Sequence, residues 1–231
     1  MKRFFRFGLP VIAVVFAFSG FVVTEINAQG ILTDYLGRMD RHNKTLSSLR
    51  ANVTMAKQNA QLGDDPEITL GKAIYVPRKG KDALVRIDWT KPEESLAVVN
   101  GKYIIYRPRL KQVLTGSVNK AKGNGKANGA LAFMNMSKAQ LKQNYKVTYL
   151  GEGTLSDGTP TVHLELVPIT KASYKKAEIW VDANGMPLQS KITENNNDTT
   201  TVLLTKVEKN ISLKGADFEI RYPGDTKIVK S

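Results

Sequence analysis

The sequence predicts a mainly β fold with two helical regions, built on a curved antiparallel sheet. Three observations carry that prediction. About ten or eleven short stretches alternate apolar and polar residues between turn signals. Residues 83–116, ALVRIDWTKPEESLAVVNGKYIIYRPRLKQVLTG, read as hairpins that follow one another with no helix between them, so their pairing should be antiparallel. Within them Asn100-Gly101 stands between two apolar runs, and both positions of such a tight turn need positive φ. Alternation alone leaves open a closed barrel, a sandwich or an open half-barrel.

Length and composition bound the rest. The chain has 231 residues, enough for one sizeable core. Lys2, Arg3 and Arg6 precede an apolar run from Leu9 to Val23, and Ile26-Asn27-Ala28 ends on a small residue. This is the pattern of a cleaved secretory signal over residues 1–28; residues 29–231 are then the mature chain and read as one domain. The formal charge is +13, and the segment removed holds three basic residues and Glu25, which leaves +11. A basic balance suits an anionic membrane surface or an acidic partner. The Lys and Arg residues are scattered, no nucleic-acid-binding motif is present, and export argues against nucleic acid as a partner. Cysteine is absent, which excludes disulfides, thiol catalysis and cysteine-ligated metals.

The elements follow in order. Ile31 to Arg50 places Leu32, Tyr35, Met39, His42, Leu46 and Leu49 at helical spacing, so an amphipathic helix is expected, with His42 at the edge of its apolar stripe. Val53–Lys57 and Ile68–Val76 read as strands, separated by the Gly63-Asp64-Asp65-Pro66 turn, with Gly71 a candidate bulge. In the next strand Val85, Ile87 and Trp89 share one face and Leu84, Arg86 and Asp88 the other. Pro92 breaks that strand, Pro108 ends the one after the Asn100-Gly101 turn, and Lys111–Thr115 resumes. Residues 117–129 are rich in Gly, Asn and Lys and read as a basic loop. Ala130–Gln143, with Leu131, Phe133, Met134 and Met136 crowded at its start, reads as a short helical flap. Strands follow at Lys146–Leu150, Thr161–Val167, Lys176–Val181, Pro187–Glu194 and Thr199–Lys206, with a last short one near Val207–Ile211. His163 falls on the outer face of its strand, opposite Val162, Leu164 and Leu166. The tail with Phe218, Ile220 and Tyr222 is expected to pack across a sheet edge.

No arrangement of catalytic groups emerges. Neither His42 nor His163 has an acid and a nucleophile near it in sequence, and no nucleophile-elbow, zinc or EF-hand pattern occurs. Gly123-Asn124-Gly125-Lys126 lacks the spacing and the following hydroxyl residue of a phosphate loop. The sequence therefore points to no enzyme, no metal and no cofactor.

The order of motifs carries a resemblance. A Trp closes a strand at Trp89. Pro92, a short apolar strand, Asn100-Gly101-Lys102, an aromatic-rich strand, Tyr106-Arg107-Pro108 and Lys111-Gln112-Val113 follow. Later come Ile179-Trp180-Val181-Asp182, Gly185 and Pro187, and then Phe218-Glu219-Ile220 before Tyr222-Pro223-Gly224. This succession resembles the LolA-type periplasmic carriers of outer-membrane lipoproteins, a fold shared with LolB-type receptors and RseB-type sensors. The resemblance implies an unclosed antiparallel half-barrel covered by the N-terminal helix and a short helical lid. It implies a non-catalytic, monomeric periplasmic carrier that takes acylated lipoproteins from an inner-membrane ABC-type release complex to an outer-membrane acceptor or membrane surface. The alternatives on the same fold are a sensor or protein-binding module, or a carrier of other lipids. The residues it would place in the cavity are Val85, Ile87, Trp89, Ile104, Tyr106, Trp180 and Leu203, with Leu131, Phe133, Met134 and Met136 in the lid. Family members carry Arg-Pro where this chain has Pro77-Arg78, which makes Arg78 the nearest candidate for a lid latch.

Overall fold

The computed structural model describes residues 24–78, 82–118 and 136–230. A helix, α1 (Thr24–Thr45), leads into six strands: β1 (Leu49–Gln58), β2 (Glu67–Val76), β3 (Leu84–Thr90), β4 (Glu93–Val99), β5 (Lys102–Arg107) and β6 (Gln112–Ser117). A short helix, α2 (Lys138–Asn144), precedes β7 (Tyr145–Thr154), β8 (Pro160–Pro168), β9 (Tyr174–Asp182), β10 (Pro187–Glu194) and β11 (Thr199–Lys209), and β12 (Lys227–Lys230) closes the chain. All twelve strands join one sheet in the order β12-β6-β5-β4-β3-β2-β1-β11-β10-β9-β8-β7. Two antiparallel meanders, β1–β6 and β7–β11, are fused where β1 pairs with β11. The end strands β12 and β7 do not meet, so the sheet is an open half-barrel.

Local chemistry explains the boundaries. Asn100 and Gly101 have φ of 51° and 72°, the left-handed pair that a two-residue hairpin requires. Helix α1 stops earlier than its apolar stripe suggests. The Thr45 hydroxyl donates to the carbonyls of Arg41 and His42, Ser47 N–H donates to Asn210 Oδ1, and the Ser48 hydroxyl donates to the Ile211 carbonyl. These bonds turn the chain into β1, so Leu49, expected on the helix, is the first residue of a strand and fully buried. The expected break at Lys206 is a bulge within one long strand: Lys206 has φ of 49°, and the β1–β11 register shifts between Arg50 and Asn52. At Gly71, by contrast, the register on both sides is unbroken, so that glycine is not a bulge.

One face of the sheet carries the core. Met55, Val202, Ser190, Ile179 and Leu164 are successive cross-strand partners, and all are buried. On the β7–β9 half this inner face is covered by helix: Leu36 and Met39 of α1 and Leu141 of α2 pack with Leu164, Leu166, Ala177 and Ile179. Helix α1 is seated by the β9–β10 turn. Gly185 has φ of +86°, and any Cβ there would strike the backbone of Arg38 and Met39, while Arg38 donates to the Ala183 carbonyl at 2.8 Å. A second apolar cluster fills the β1–β5 and β11 half.

The tail does more than lie along an edge. Phe218 is buried, and its turn packs against β3 and β4 on the outer face. Arg86 donates to the carbonyls of Asp217 and Glu219 at 3.1 and 2.8 Å. Beyond it β12 pairs with β6 in parallel, the one parallel pair among the described strands.

Candidate functional site

The inner face of β1–β5 is a floor of cross-strand rows. Leu49, Tyr75, Val85, Val98 and Tyr103 form the first, and Ala51, Ala73, Ile87, Leu96 and Ile105 the second. Val53, Gly71, Trp89 and Glu94 form the third, which the Arg107 side chain meets at Glu94. The first two rows are apolar except for the phenols. The third ends in charge, with Arg107 Nε 2.6 Å from Glu94 Oε2. Small residues at Ala51, Ala73 and Gly71 keep the β1–β2 side low against the large side chains of β3 and β4. Gly71 is required for this: a Cβ there would lie 2.6 Å from the Asp88 carbonyl oxygen and 2.9 Å from Trp89 Cε3. The indole of Trp89 therefore lies over Gly71.

One polar atom in this floor is out of place. The Tyr75 side chain is 2% exposed within the apolar cluster, and its hydroxyl has no hydrogen-bond partner among the described residues. Burial pushes its ionisation well above that of an ordinary phenol.

The residues expected in the cavity fall on two faces. Val85, Ile87 and Trp89 lie together on the inner face and are buried. Ile104 and Tyr106 alternate with Tyr103 and Ile105 and so project outward, where the Tyr106 ring meets that of Tyr222 at 5.9 Å. Leu203 and Trp180 also project outward, in a row with Gln189 and His163. Trp180 stacks on His163 at 4.2 Å. Tyr75, Leu96, Val98 and Tyr103 complete the floor; the alternation that singles out Val85 and Ile87 would also have found Leu96 and Val98, their direct partners.

Of the expected lid residues, Leu131, Phe133 and Met134 lie outside the described residues. Met136 packs beside the α1–α2 cluster, and its carbonyl accepts a bond from Asn43 Nδ2 at 2.7 Å. Arg78 donates to the Asp82 carbonyl at 2.7 Å and to Asn100 Oδ1 at 3.0 Å. Those bonds tie the β2–β3 connection to the β4–β5 turn.

Elsewhere among the described residues the two imidazoles lie on different elements. His42 sits on α1 and His163 on β8. Burial pulls the His163 imidazole below its usual range, against the opposing pull of Glu178 3.2 Å away. A polar hollow of about 300 Å³ is lined by Asp64, Asp65, Glu67, Glu194 and Asp198. Among the described residues, no group of three acidic or imidazole side chains is placed to hold a metal ion.

Comparison with protein families decides the relationship. The model for "Outer membrane lipoprotein carrier protein LolA" matches residues 76–221. The chain belongs to the LolA family. No curated protein matches the sequence significantly. Among solved structures, the fold is similar to an uncharacterized conserved protein from Thermus thermophilus, with a TM-score of 0.55 and 14% identity over 87% of this chain and 99% of that one. MucB is similar with the same TM-score and identity, over 87% of this chain and 66% of its own. The lipoprotein LppX of Mycobacterium tuberculosis gives 0.46 and 12% identity over 81% of this chain and 99% of that one. For the first two, at these identities, the likeness is one of fold alone. The span matched by the LolA-family model runs from the end of β2 past Phe218 and includes the β3–β5 part of the apolar floor.

Proposed function

We propose that this LolA-family protein is an exported, non-catalytic carrier that shelters the acyl chains of lipoproteins and moves them from the inner to the outer membrane. Residues 1–28 are its export signal, and residues 29–231 its working domain. It receives cargo from an ABC-type release complex in the inner membrane and delivers it to an acceptor or to the membrane surface at the outer one. The observation that carries the reading is the apolar floor on β1–β5, whose β3–β5 part lies within the span that matches the carrier family.

The physical need is clear. Each methylene kept from water is worth about 0.8 kcal/mol, so a multiply acylated protein does not cross an aqueous compartment unaided. A carrier must offer apolar surface, and must bind weakly enough to release the cargo. Sheltering and release of this kind need no covalent step. The test is direct. The mature protein is mixed with vesicles that hold a fluorescent diacylated lipopeptide, and the supernatant is assayed for a soluble one-to-one complex that delivers the lipopeptide to fresh vesicles. Extraction and delivery are expected. Failure to extract, together with tight binding of the same peptide without acyl chains, would replace the carrier with a protein-binding module.

A further inference from the structure

The Tyr75 hydroxyl is a buried donor in an apolar floor, and none of the described residues bonds it. Such a group costs stability unless something satisfies it. Of its neighbours in the row, Leu49, Val85 and Val98 carry no polar side-chain atom, the phenol of Tyr103 at the row's far end makes no bond to it, and the hydroxyl is closed to water. An acyl chain laid on this floor brings one polar group of its own, the carbonyl at its root. We infer that Tyr75 is a specificity residue of this face, donating a hydrogen bond to the ester or amide carbonyl where an acyl chain joins its parent molecule. This rests on the carrier reading and adds the ligand's polar contact.

The chemistry selects among apolar ligands. A neutral carbonyl accepts the phenol proton without bringing charge into the floor. A free carboxylate would be desolvated there, and among the described residues the row around Tyr75 holds no cation to offset that cost. An ether-linked or plain alkyl chain would fill the same space and leave the hydroxyl unsatisfied. Ester- and amide-rooted chains are therefore preferred, whether the root belongs to a lipoprotein or to a free lipid.

The test uses ligands that differ only at that atom. Binding of dioctanoylglycerol and of its dioctyl ether analogue is measured by calorimetry on the mature wild type and on Tyr75→Phe. A third arm uses a synthetic S-dioctanoylglyceryl-cysteine peptide. The wild type is expected to prefer ester over ether by about three- to tenfold, the worth of one neutral hydrogen bond. Tyr75→Phe should bring that ratio to one by weakening the ester alone. Without ligand, Tyr75→Phe should melt higher than wild type, because it removes an unsatisfied polar atom. The tighter of the two ester ligands identifies the source of the carbonyl. An ester preference unchanged in Tyr75→Phe, or a lower melting temperature for that variant, overturns the role of Tyr75 and leaves the carrier intact. Binding of none of the three ligands overturns the carrier reading itself.

Discussion

Replacing Gly71 by alanine tests the geometry of the floor. The new methyl group would meet the Asp88 carbonyl oxygen at 2.6 Å and Trp89 Cε3 at 2.9 Å, both well inside van der Waals contact. The carbonyl belongs to the β2–β3 ladder, which is regular on both sides of this point, so it cannot retreat without stretching ladder bonds. The indole must then leave its place, or β2 and β3 must part. Overpacking of this kind costs about 1–3 kcal/mol. For a chain of this size each kcal/mol moves the melting temperature by about 2–4 °C, so a mid-range cost lowers it by roughly 4–8 °C. Thermal melts by circular dichroism measure the loss. Trp89 emission, read in a Trp180→Phe background, should shift as its ring moves. Gly153→Ala is the control: its methyl group would meet Trp180 Cδ1 at an ordinary 3.5 Å, and it should melt at or slightly above wild type. An unchanged melt and unchanged emission for Gly71→Ala would refute the claim that this glycine makes room for Trp89.

Two further predictions concern other parts of the fold. Arg86→Ala removes both bonds to the Asp217 and Glu219 carbonyls, at about 1.5–3 kcal/mol for hydrogen bonds to a charged group. Hydrogen exchange should then rise from Asp217 to Lys230 while β7–β9 stay protected; uniform exchange would show that the tail is held otherwise. His42 is 7% exposed, and burial, aided by Lys209, holds its imidazole below the usual range against Asp182. The unfolded chain therefore takes up the proton first as pH falls. The contribution is fully present above the unfolded value of about 6.5 and is lost on acidification through the window below it. Melts at pH 7.5 and 5.5 should show a larger acid loss for wild type than for His42→Gln, with His163 supplying part of what remains; equal losses would contradict this.

The antiparallel meander, the Asn100-Gly101 turn and the paired faces of β3 are legible in the residues alone. These are local matters: positive φ at a two-residue turn, and side chains that alternate along a strand. The order of motifs that ties the chain to its family is legible in the same way. Which apolar face turns inward is not, and it emerges from packing between distant parts of the chain. Both faces of β5 are apolar, because Tyr103 and Ile105 meet the floor while Tyr106 meets Tyr222 from a tail far along the chain. Trp180 and Ile179 differ in the same way, one stacked on His163 and the other buried under the helices. Alternation has a period of two but no sign. The sign comes from what the rest of the chain lays on each face: α1 and α2 on one side, Phe218 on the other. The unsatisfied Tyr75 hydroxyl was equally hidden, since a missing partner is a property of the whole neighbourhood and not of any stretch of sequence.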